Sequence, residues 1–277
     1  MELDVSRGTD IAIVGATGKT GRAVADALDG IALVRRLSRS APDYPVDLET
    51  GEGLAEAFTG CRGVYFIAPN VHPDEPALLL RALEAAASAG VDHVVYHSVA
   101  WPYSPRMRHH MDKARCEDKL RAFGSERGLH WTILQPCAYA QNFEAVLTGS
   151  PSLVVPYSLD TKFSFVSLDD VAEVAARILV EGAEQHHGAT YELGGPEILS
   201  VRDMVRLVET MTGRAVSVES IGVDEWMSLH GTGLSSDAQQ RLSAMFEYYD
   251  GRDFLASGVV TAALLGRSPT PMRALIR

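Results

Sequence analysis

The sequence predicts a doubly wound α/β fold, a parallel sheet with helices on both faces, followed by a smaller, mainly helical C-terminal lobe. Strand-like and helix-like segments alternate over the first 140 residues, which is the pattern of parallel strands joined by crossover helices. The first strand also ends in a glycine-rich turn. The alternation stops after about residue 140, so we expect one domain at 1–140 and a lobe at 141–277, with some of its segments returning to the main sheet.

Predicted strands and helices alternate regularly in the first half of the chain. Short apolar runs predict strands, and they lie at 10–15, 31–38, 45–48, 63–68, 93–98 and 131–134. Segments with helical periodicity separate them, at 21–28, 52–58, 74–89 and 112–123. In the helix at 74–89, apolar side chains share one face from Leu78 to Ala87, and Gly90 supplies the C-terminal stop.

The second half has a different pattern. Residues 151–166 carry a turn signal at 158–160 between β-branched stretches, which predicts a hairpin. Helices are predicted to begin at Ser167 and Ser200, because each serine is followed three residues later by an Asp, as in a capping box. Asp169 and Asp170 are interpreted as N-terminal helix charges.

Composition excludes several classes of protein. The chain has 277 residues with a formal net charge of −11, which argues against a nucleic-acid-binding surface. Its apolar runs are too short to span a bilayer, and the acidic start lacks a signal-peptide pattern. The three cysteines and the histidine pairs lack metal-ligand spacing. We therefore expect a cytoplasmic protein with free thiols, no metal and no membrane partner.

The glycine-rich turn predicts a phosphate site of the Rossmann type. It has the spacing G-x-x-G-x-x-G and stands between the first strand and the first helix, where backbone N–H groups and the helix N-terminus bind a pyrophosphate. The embedded Gly-Lys-Thr does not form a Walker A loop, because Ile13 stands where that loop needs glycine. The predicted contacts are Gly15, Thr17, Gly18, Lys19, Thr20 and Gly21.

The end of the second strand favours NADP(H) over NAD(H). NAD sites place a carboxylate there for the ribose, whereas NADP sites place an Arg. This strand ends in arginines and serines without a carboxylate. Ser38 and Arg39 are the predicted 2′-phosphate contacts, while Arg35 and Arg36 include at least one ordinary surface charge. Asp47 and Leu48 are placed to face an adenine ring, although Asp47 is equally suited to cap the next turn.

Several ordered motifs resemble the NmrA-like branch of the short-chain dehydrogenase/reductase superfamily. The resemblance covers nearly the whole chain but does not identify the reaction, since the branch includes quinone reductases, triphenylmethane-dye and isoflavone-type reductases, and redox-sensing regulators. Beyond the glycine turn, the motifs lie at 67–69, 95–98, 132–136, 165–172, 191–197 and 265–269.

The resemblance implies roles for further residues. Ala68 and Pro69 border the nicotinamide ribose, Pro136 joins the cofactor contacts, and Lys113 resembles the lysine that hydrogen-bonds that ribose. The superfamily site has a Tyr four residues before this lysine and a Ser about a dozen residues before the Tyr. Ser98 is present here, but position 109 is His. The usual general acid of alcohol–ketone chemistry is therefore missing.

Three outcomes remain open at position 109. His109 replaces the tyrosine as the acid, since its ordinary pKa suits proton transfer near neutrality; or the acceptor needs little acid help, as a quinone does; or the chain does not catalyse turnover. His109 in a loop at 101–110 is also consistent with a surface residue.

The segment after the sixth strand and the aromatic second half contain the candidate substrate contacts. These are Tyr139, Asn142, Phe143 and Trp226, with core packing as the alternative for Phe143 and for the aromatic residues near Trp226. No nucleophile elbow is present for a serine hydrolase.

The sequence thus predicts an NADPH-dependent reductase that transfers hydride to a quinone or related conjugated aromatic carbonyl. The alternatives are an NADP(H)-sensing regulator without turnover and a dedicated ketone or imine reductase. The expected partner is a small aromatic or quinone-like substrate. A homodimer is left open, because the sequence does not distinguish an exposed apolar patch from a buried one.

Overall fold

A computed structural model describes residues 10–277, which form two compact units. The first unit contains residues 10–102, 112–135 and 171–191. The second unit contains residues 103–111, 136–170 and 192–277.

Strands and helices alternate through the described chain. The strands are β1 (Asp10–Val14), β2 (Leu33–Leu37), β3 (Cys61–Phe66), β4 (His93–His97), β5 (His130–Pro136), β6 (Ser152–Val155), β7 (Lys162–Phe163), β8 (Thr190–Leu193), β9 (Leu199–Ser200) and β10 (Ser217–Ser220). The helices are α1 (Lys19–Ala27), α2 (Leu54–Phe58), α3 (Glu75–Ser88), α4 (Arg108–Arg127), α5 (Glu144–Leu147), α6 (Leu168–Glu181), α7 (Ala183–His186), α8 (Val201–Thr212), α9 (Val223–His230), α10 (Ser236–Tyr249) and α11 (Gly258–Leu265), with short 3₁₀ turns at Ala140–Phe143 and Met272–Leu275.

The central sheet confirms the predicted Rossmann-type fold. Its six strands run in the order β2-β1-β3-β4-β5-β8, and the pairs among the first five are parallel. The chain lays β2 to one side of β1 and β3 to the other. Such a reversal of strand order is where α/β sheets bind ligands, at the carboxyl ends of the strands.

A buried apolar layer holds the sheet of the first unit in place. Phe58 of α2 and Leu83 of α3 pack in one cluster with Phe66, Tyr96 and Ile133 of the strands. These side chains are fully buried, and each contributes about 1.5–3 kcal/mol by leaving water. The layer fixes the strand ends that carry the candidate site residues.

Two predicted β elements are wrong. Residues 45–48 form only a bridge between Ser38 and Pro45, because the Asp47 carboxylate accepts the Glu49 N–H and turns the chain. Residues 151–166 do not form a hairpin, since β6 pairs with β10 and β7 pairs with β9. The turn at 158–160 is present, but the Ser158 N–H donates to Asp250, so the flanking strands find other partners.

One of the two predicted capping boxes is confirmed. Ser200 and Asp203 exchange side-chain and backbone hydrogen bonds at the start of α8. At α6, Ser167 accepts the Asp169 N–H, but Asp170 is fully buried. Asp169 and Asp170 both lie in the first turn of α6, as predicted, and the Asp170 carboxylate also accepts hydrogen bonds from Thr270 and Arg267.

An aromatic cluster forms the core of the second unit. Phe163 stacks on Phe165 with ring centroids 5.1 Å apart, and Tyr249 meets Phe163 edge to face at 5.3 Å. Tyr157 and Phe254 complete the cluster. Tyr249, one of the aromatic residues for which the sequence left core packing open, therefore belongs to this core.

Within residues 10–277, no helix has the length and apolar content needed to cross a membrane.

A buried histidine lies at the amino-terminal edge of the sheet. His93 Nε2 is 2.8 Å from Thr132 Oγ1, and that hydroxyl donates to the His186 carbonyl, so Nε2 carries the proton. The Nδ1 atom is buried and has no hydrogen-bond partner among residues 10–277. Burial lowers the pKa of His93 from 6.5 to about 4.

This histidine predicts acid sensitivity. The unfolded chain binds a proton at His93 near pH 6.5 and the folded chain only near pH 4, so stability falls as the pH drops through that interval. The loss from this group is on the order of 2 kcal/mol at pH 5. Glutamine retains an N–H donor for Thr132 without titrating, so His93→Gln should flatten the pH dependence of the unfolding free energy, measured by urea titration. The exposed-site variant His230→Gln should retain it; equal slopes for wild type and His93→Gln would contradict the assignment.

Candidate active site

The turn after β1 is built for close contact with α1. Gly15 has a φ of +75°, and the Gly18 N–H donates to its carbonyl at 3.0 Å. A Cβ on Gly21 would overlap the Gly15 carbonyl oxygen. A Cβ on Gly15 would lie 2.7 Å from the Ile67 carbonyl oxygen. Only glycines allow α1 and the segment after β3 to approach the turn this closely.

The N-terminus of α1 has the features of an anion site. Gly18 is the N-cap and has no side chain to cap the helix, and the first turn contains no acidic residue. Thr17, Gly18 and Lys19 are exposed, and Thr20 is half-buried. The first-turn amides thus face a site where the helix dipole favours negative charge, which fits a pyrophosphate.

The two arginines within β2 both have protein partners. Arg35 binds Asp10 and the carbonyls of Ala57 and Thr59, and Arg36 binds Asp26 at 2.8 Å. Both are therefore committed to protein partners.

Arg39 and Ser38 remain available at this strand end. Arg39 is exposed and makes no ion pair within the described chain. The Oγ atom of Ser38 is buried and has no hydrogen-bond partner there. A guanidinium and a hydroxyl without partners suit a phosphate group, so these two residues fit the 2′-phosphate of NADP(H).

Asp47 and Leu48 are placed less favourably for a ligand. Asp47 Oδ1 accepts the Glu49 N–H at 2.7 Å. This contact is the turn cap that the sequence offered as the alternative role of Asp47. Leu48 packs against the core of the first unit. Their contact with an adenine ring remains a prediction.

The segments that follow β3 and end β5 contain the other predicted cofactor contacts. Ala68 is buried and Pro69 exposed, directly after the Ile67 carbonyl that lies against the glycine turn. Pro136 is the last residue of β5 and is buried. All three lie at carboxyl ends of strands, the edge where α/β sheets bind ligands.

Lys113 lies in a buried cluster of charged and polar groups. Its Nζ donates to Glu75 Oε1 at 2.8 Å and to the His97 carbonyl at 3.0 Å. Tyr96 donates to the same Glu75 oxygen at 2.7 Å. Burial, followed by the charge of Glu75, raises the pKa of Tyr96 well above its usual range, so Tyr96 keeps its proton. Glu75 was missed in the sequence, where it reads as an ordinary first-turn residue of α3.

Ser98 belongs to a second buried network. Its Oγ donates to Glu117 Oε1 at 2.5 Å, and Gln135 donates to the same oxygen at 2.7 Å. Arg121 binds the other oxygen of Glu117 at 3.1 Å. The hydroxyl proton of Ser98 is thus committed to Glu117, and its lone pairs can accept a hydrogen bond. The sequence indicates the Glu117–Arg121 pair by its i,i+4 spacing, but not the contact with Ser98.

His97 and Tyr65 form a further pair on neighbouring strands. Tyr65 Oη lies 2.5 Å from His97 Nδ1, and both side chains are buried. Burial, followed by the charge of Lys113, lowers the pKa of His97 to about 3. His97 is therefore a neutral imidazole. Neither residue was singled out as a site residue in the sequence.

His109 lies on a helix and not in the predicted loop. It belongs to the first turn of α4, its side chain is half-buried, and its ring meets that of His110 edge to face at 6.0 Å. His109 and Lys113 are four residues apart, the spacing that places side chains on one helix face. Its role as an acid remains a prediction.

The candidate substrate contacts in the second unit have different environments. Phe143 is buried and meets Phe165 edge to face at 5.3 Å, as core packing requires. Trp226 is half-buried against Phe246 at 5.0 Å. Tyr139 is half-buried, and Asn142 is exposed.

Nucleophilic thiol and metal chemistry find no support in the described residues. Burial raises the pKa of the Cys137 thiol to about 12, so it is not a thiolate near neutral pH. Across residues 10–277 no group of three or more His, Cys, Asp or Glu side chains is arranged to hold a metal ion.

The glycine turn at the reversal of strand order is the arrangement found in dinucleotide-binding α/β proteins, and groups without partners follow β2. The NmrA-like family model matches residues 44–259. The chain belongs to the NmrA-like family, as the sequence motifs predicted.

Comparisons with individual proteins agree with this membership. The chain is 29% identical to a (4-alkanoyl-5-oxo-2,5-dihydrofuran-3-yl)methyl phosphate reductase of Streptomyces griseus, over 77% of this chain and 78% of that protein. It is 26% identical to an NAD(P)H azoreductase of Xenophilus azovorans, over 85% and 86%. Its fold matches that of an NADPH-dependent quinone oxidoreductase from Escherichia coli in complex with NADPH, with a TM-score of 0.73, 19% identity and coverage of 95% and 97%.

The end of β2 predicts how the chain distinguishes the two dinucleotides. Arg39→Ala should weaken NADPH binding by about tenfold or more, since a charge-assisted contact with a phosphate contributes about 1.5–3 kcal/mol, and should leave NADH binding nearly unchanged. Calorimetric titration with each dinucleotide measures both. Arg36→Ala serves as the matched control, because Arg36 is paired with Asp26. An equal loss for NADPH and NADH would contradict the assignment.

Proposed function

We propose that this chain is an NADPH-dependent reductase whose hydride acceptor is a quinone or a related conjugated aromatic carbonyl. The chain is an NAD(P)H-dependent oxidoreductase, because it shares a family and most of its length with curated reductases of this kind. The observation that carries the proposal is the end of β2, where Arg39 and the buried Ser38 Oγ fit an extra phosphate next to an uncapped helix N-terminus.

The bound cofactor would supply the hydride: NADPH, a quinone and one proton give NADP⁺ and a hydroquinone. The glycine turn and the N-terminus of α1 would hold the pyrophosphate. Ser38 and Arg39 would hold the 2′-phosphate, and Ala68, Pro69 and Pro136 would border the nicotinamide half. Rate enhancement then comes chiefly from holding donor and acceptor face to face.

The choice of a quinone follows from position 109. Reduction of a simple ketone develops charge on one oxygen and needs a positioned acid, which the superfamily tyrosine supplies. This chain has His109 in its place. A quinone distributes the developing charge over its ring and needs less help from an acid. The similarity to an azoreductase and to a quinone oxidoreductase supports an acceptor with extended conjugation.

Ser98 and Lys113 have supporting roles in this proposal. Lys113 is anchored to Glu75 and to the His97 carbonyl, which orients the ammonium for the nicotinamide ribose. Ser98 donates to Glu117, so it would accept from a ligand and not donate to it. Tyr139, Asn142, Phe143 and Trp226 remain the candidate substrate contacts, and a homodimer remains the candidate assembly.

A panel of benzoquinones, naphthoquinones and simple aryl ketones tests the proposal. Steady consumption of NADPH, followed by the absorbance of the reduced nicotinamide, is expected with the quinones and not with the ketones. Tight NADPH binding without turnover on any acceptor would contradict a reductase and indicate a cofactor sensor. Turnover confined to the ketones would show that the acceptor is not a quinone.

His109 provides a separate prediction. If a quinone needs little acid help, His109→Ala should change kcat for quinone reduction by less than about tenfold and leave the pH profile unchanged. The pH dependence of kcat for wild type and variant measures this. Loss of an ionisation between about pH 6 and 7 together with a loss of 10²-fold or more would make His109 the acid and contradict this expectation.

A further inference from the structure

The ion pair between Glu75 and Lys113 is the most deeply buried one that involves a candidate site residue. The Glu75 side chain is 1% exposed and that of Lys113 8%, and Nζ lies 2.8 Å from Oε1. Oε1 also accepts the Tyr96 hydroxyl, whereas Oε2 is buried without a hydrogen-bond partner among residues 10–277.

Such a pair is costly to the fold. Two charges lose hydration on burial, and the cost is recovered only when the remaining oxygens and protons also find partners. Here one carboxylate oxygen does not. A purely structural contact between α3 and α4 is better made by apolar side chains of similar volume, so the pair calls for a functional explanation.

The pair lies near the end of the sheet where the nicotinamide half of the cofactor belongs; this step rests on the proposed function. The 2′-phosphate contacts follow β2, on one side of β1. A dinucleotide crosses the reversal of strand order, so its other half lies toward β3 and β4. Lys113 donates to the carbonyl of His97, the last residue of β4.

Other titratable groups near Lys113 in the described chain are neutral or have partners of their own. His97 is neutral, since burial and Lys113 lower its pKa to about 3. On the same helix, Asp112 is paired with Arg115, and Glu117 with Arg121. Glu75 is the carboxylate that balances the ammonium of Lys113.

We propose that Glu75 is a positioning residue that sets the charge at the nicotinamide end of the site by neutralising Lys113. The reduced nicotinamide ring is neutral and the oxidised ring carries one positive charge. An unbalanced ammonium in a low-dielectric site would disfavour the oxidised form, and an unbalanced carboxylate would favour it. The neutral pair avoids both biases.

The dissociation constants of NADP⁺ and NADPH, measured by calorimetry, test this. Glu75→Gln should raise the ratio of the NADP⁺ constant to the NADPH constant by about tenfold or more, as expected for one unit charge within about 12 Å of the ring at an effective dielectric near 20. Lys113→Met should change the ratio in the opposite direction. The double variant, which again carries no net charge there, should return it toward the wild-type value.

Two controls separate charge from structural damage. Tyr96→Phe removes a hydrogen bond to the same Glu75 oxygen without changing the charge, so the ratio should stay within about threefold of wild type. Adenosine 2′,5′-bisphosphate lacks the nicotinamide half, so all variants should bind it with unchanged affinity if they fold. A single variant that fails this second control is misfolded, and the shift in the other single variant, with its return in the double variant, then tests the inference.

Three outcomes would overturn the inference: ratios unchanged in both single variants, ratios shifted in the same direction by both, or no return in the double variant. Each leaves the proposed function in place if wild type binds NADPH and reduces quinones. If wild type does not bind NADPH, the proposed function fails first, and this result is distinct from the other three.

Discussion

The close contact between α1 and the turn after β1 is the constraint on which the cofactor site depends. Gly21 has no room for a Cβ beside the Gly15 carbonyl, and Gly15 has a left-handed conformation beside Ile67. Because the helix approaches so closely, its uncapped N-terminus faces the carboxyl edge of the sheet. An anion held there would lie beside the ends of β1 and β3, and the candidate contacts Ala68 and Pro69 follow β3 at the same edge.

Burial of charge is the second organising feature of the first unit. Glu75, Lys113 and Glu117 are nearly inaccessible to solvent, and each is held by hydrogen bonds with nearby side chains. Two neutral groups lie beside the Glu75–Lys113 pair, since His97 has a lowered pKa and Tyr96 a raised one. Charge that is fixed in place and screened from water acts strongly over several ångströms, so this arrangement suits control of a nearby redox cofactor.

The elements that the sequence predicts well are those with local causes. The glycine turn, the helix on 74–89 and the capping box at Ser200 follow from spacing, periodicity and capping chemistry, and all three occur in the structure. The failures involve partners distant in the chain. The turn at 158–160 is present, but its strands pair with β9 and β10. Asp170 is a first-turn charge of α6, as predicted, but its hydrogen bonds with Thr270, a hundred residues later, do not follow from local spacing.

The sequence by itself determined the fold class, the family and the position of the glycine-rich turn, because these depend on short patterns that a few residues define. Tertiary structure alone decided which arginine near the end of β2 is available for a ligand, since Arg35 pairs with Asp10 and Arg36 with Asp26. It also decided that Lys113 has a carboxylate partner 38 residues earlier in the chain. Such contacts depend on how helices pack against the sheet, and no local spacing encodes that packing.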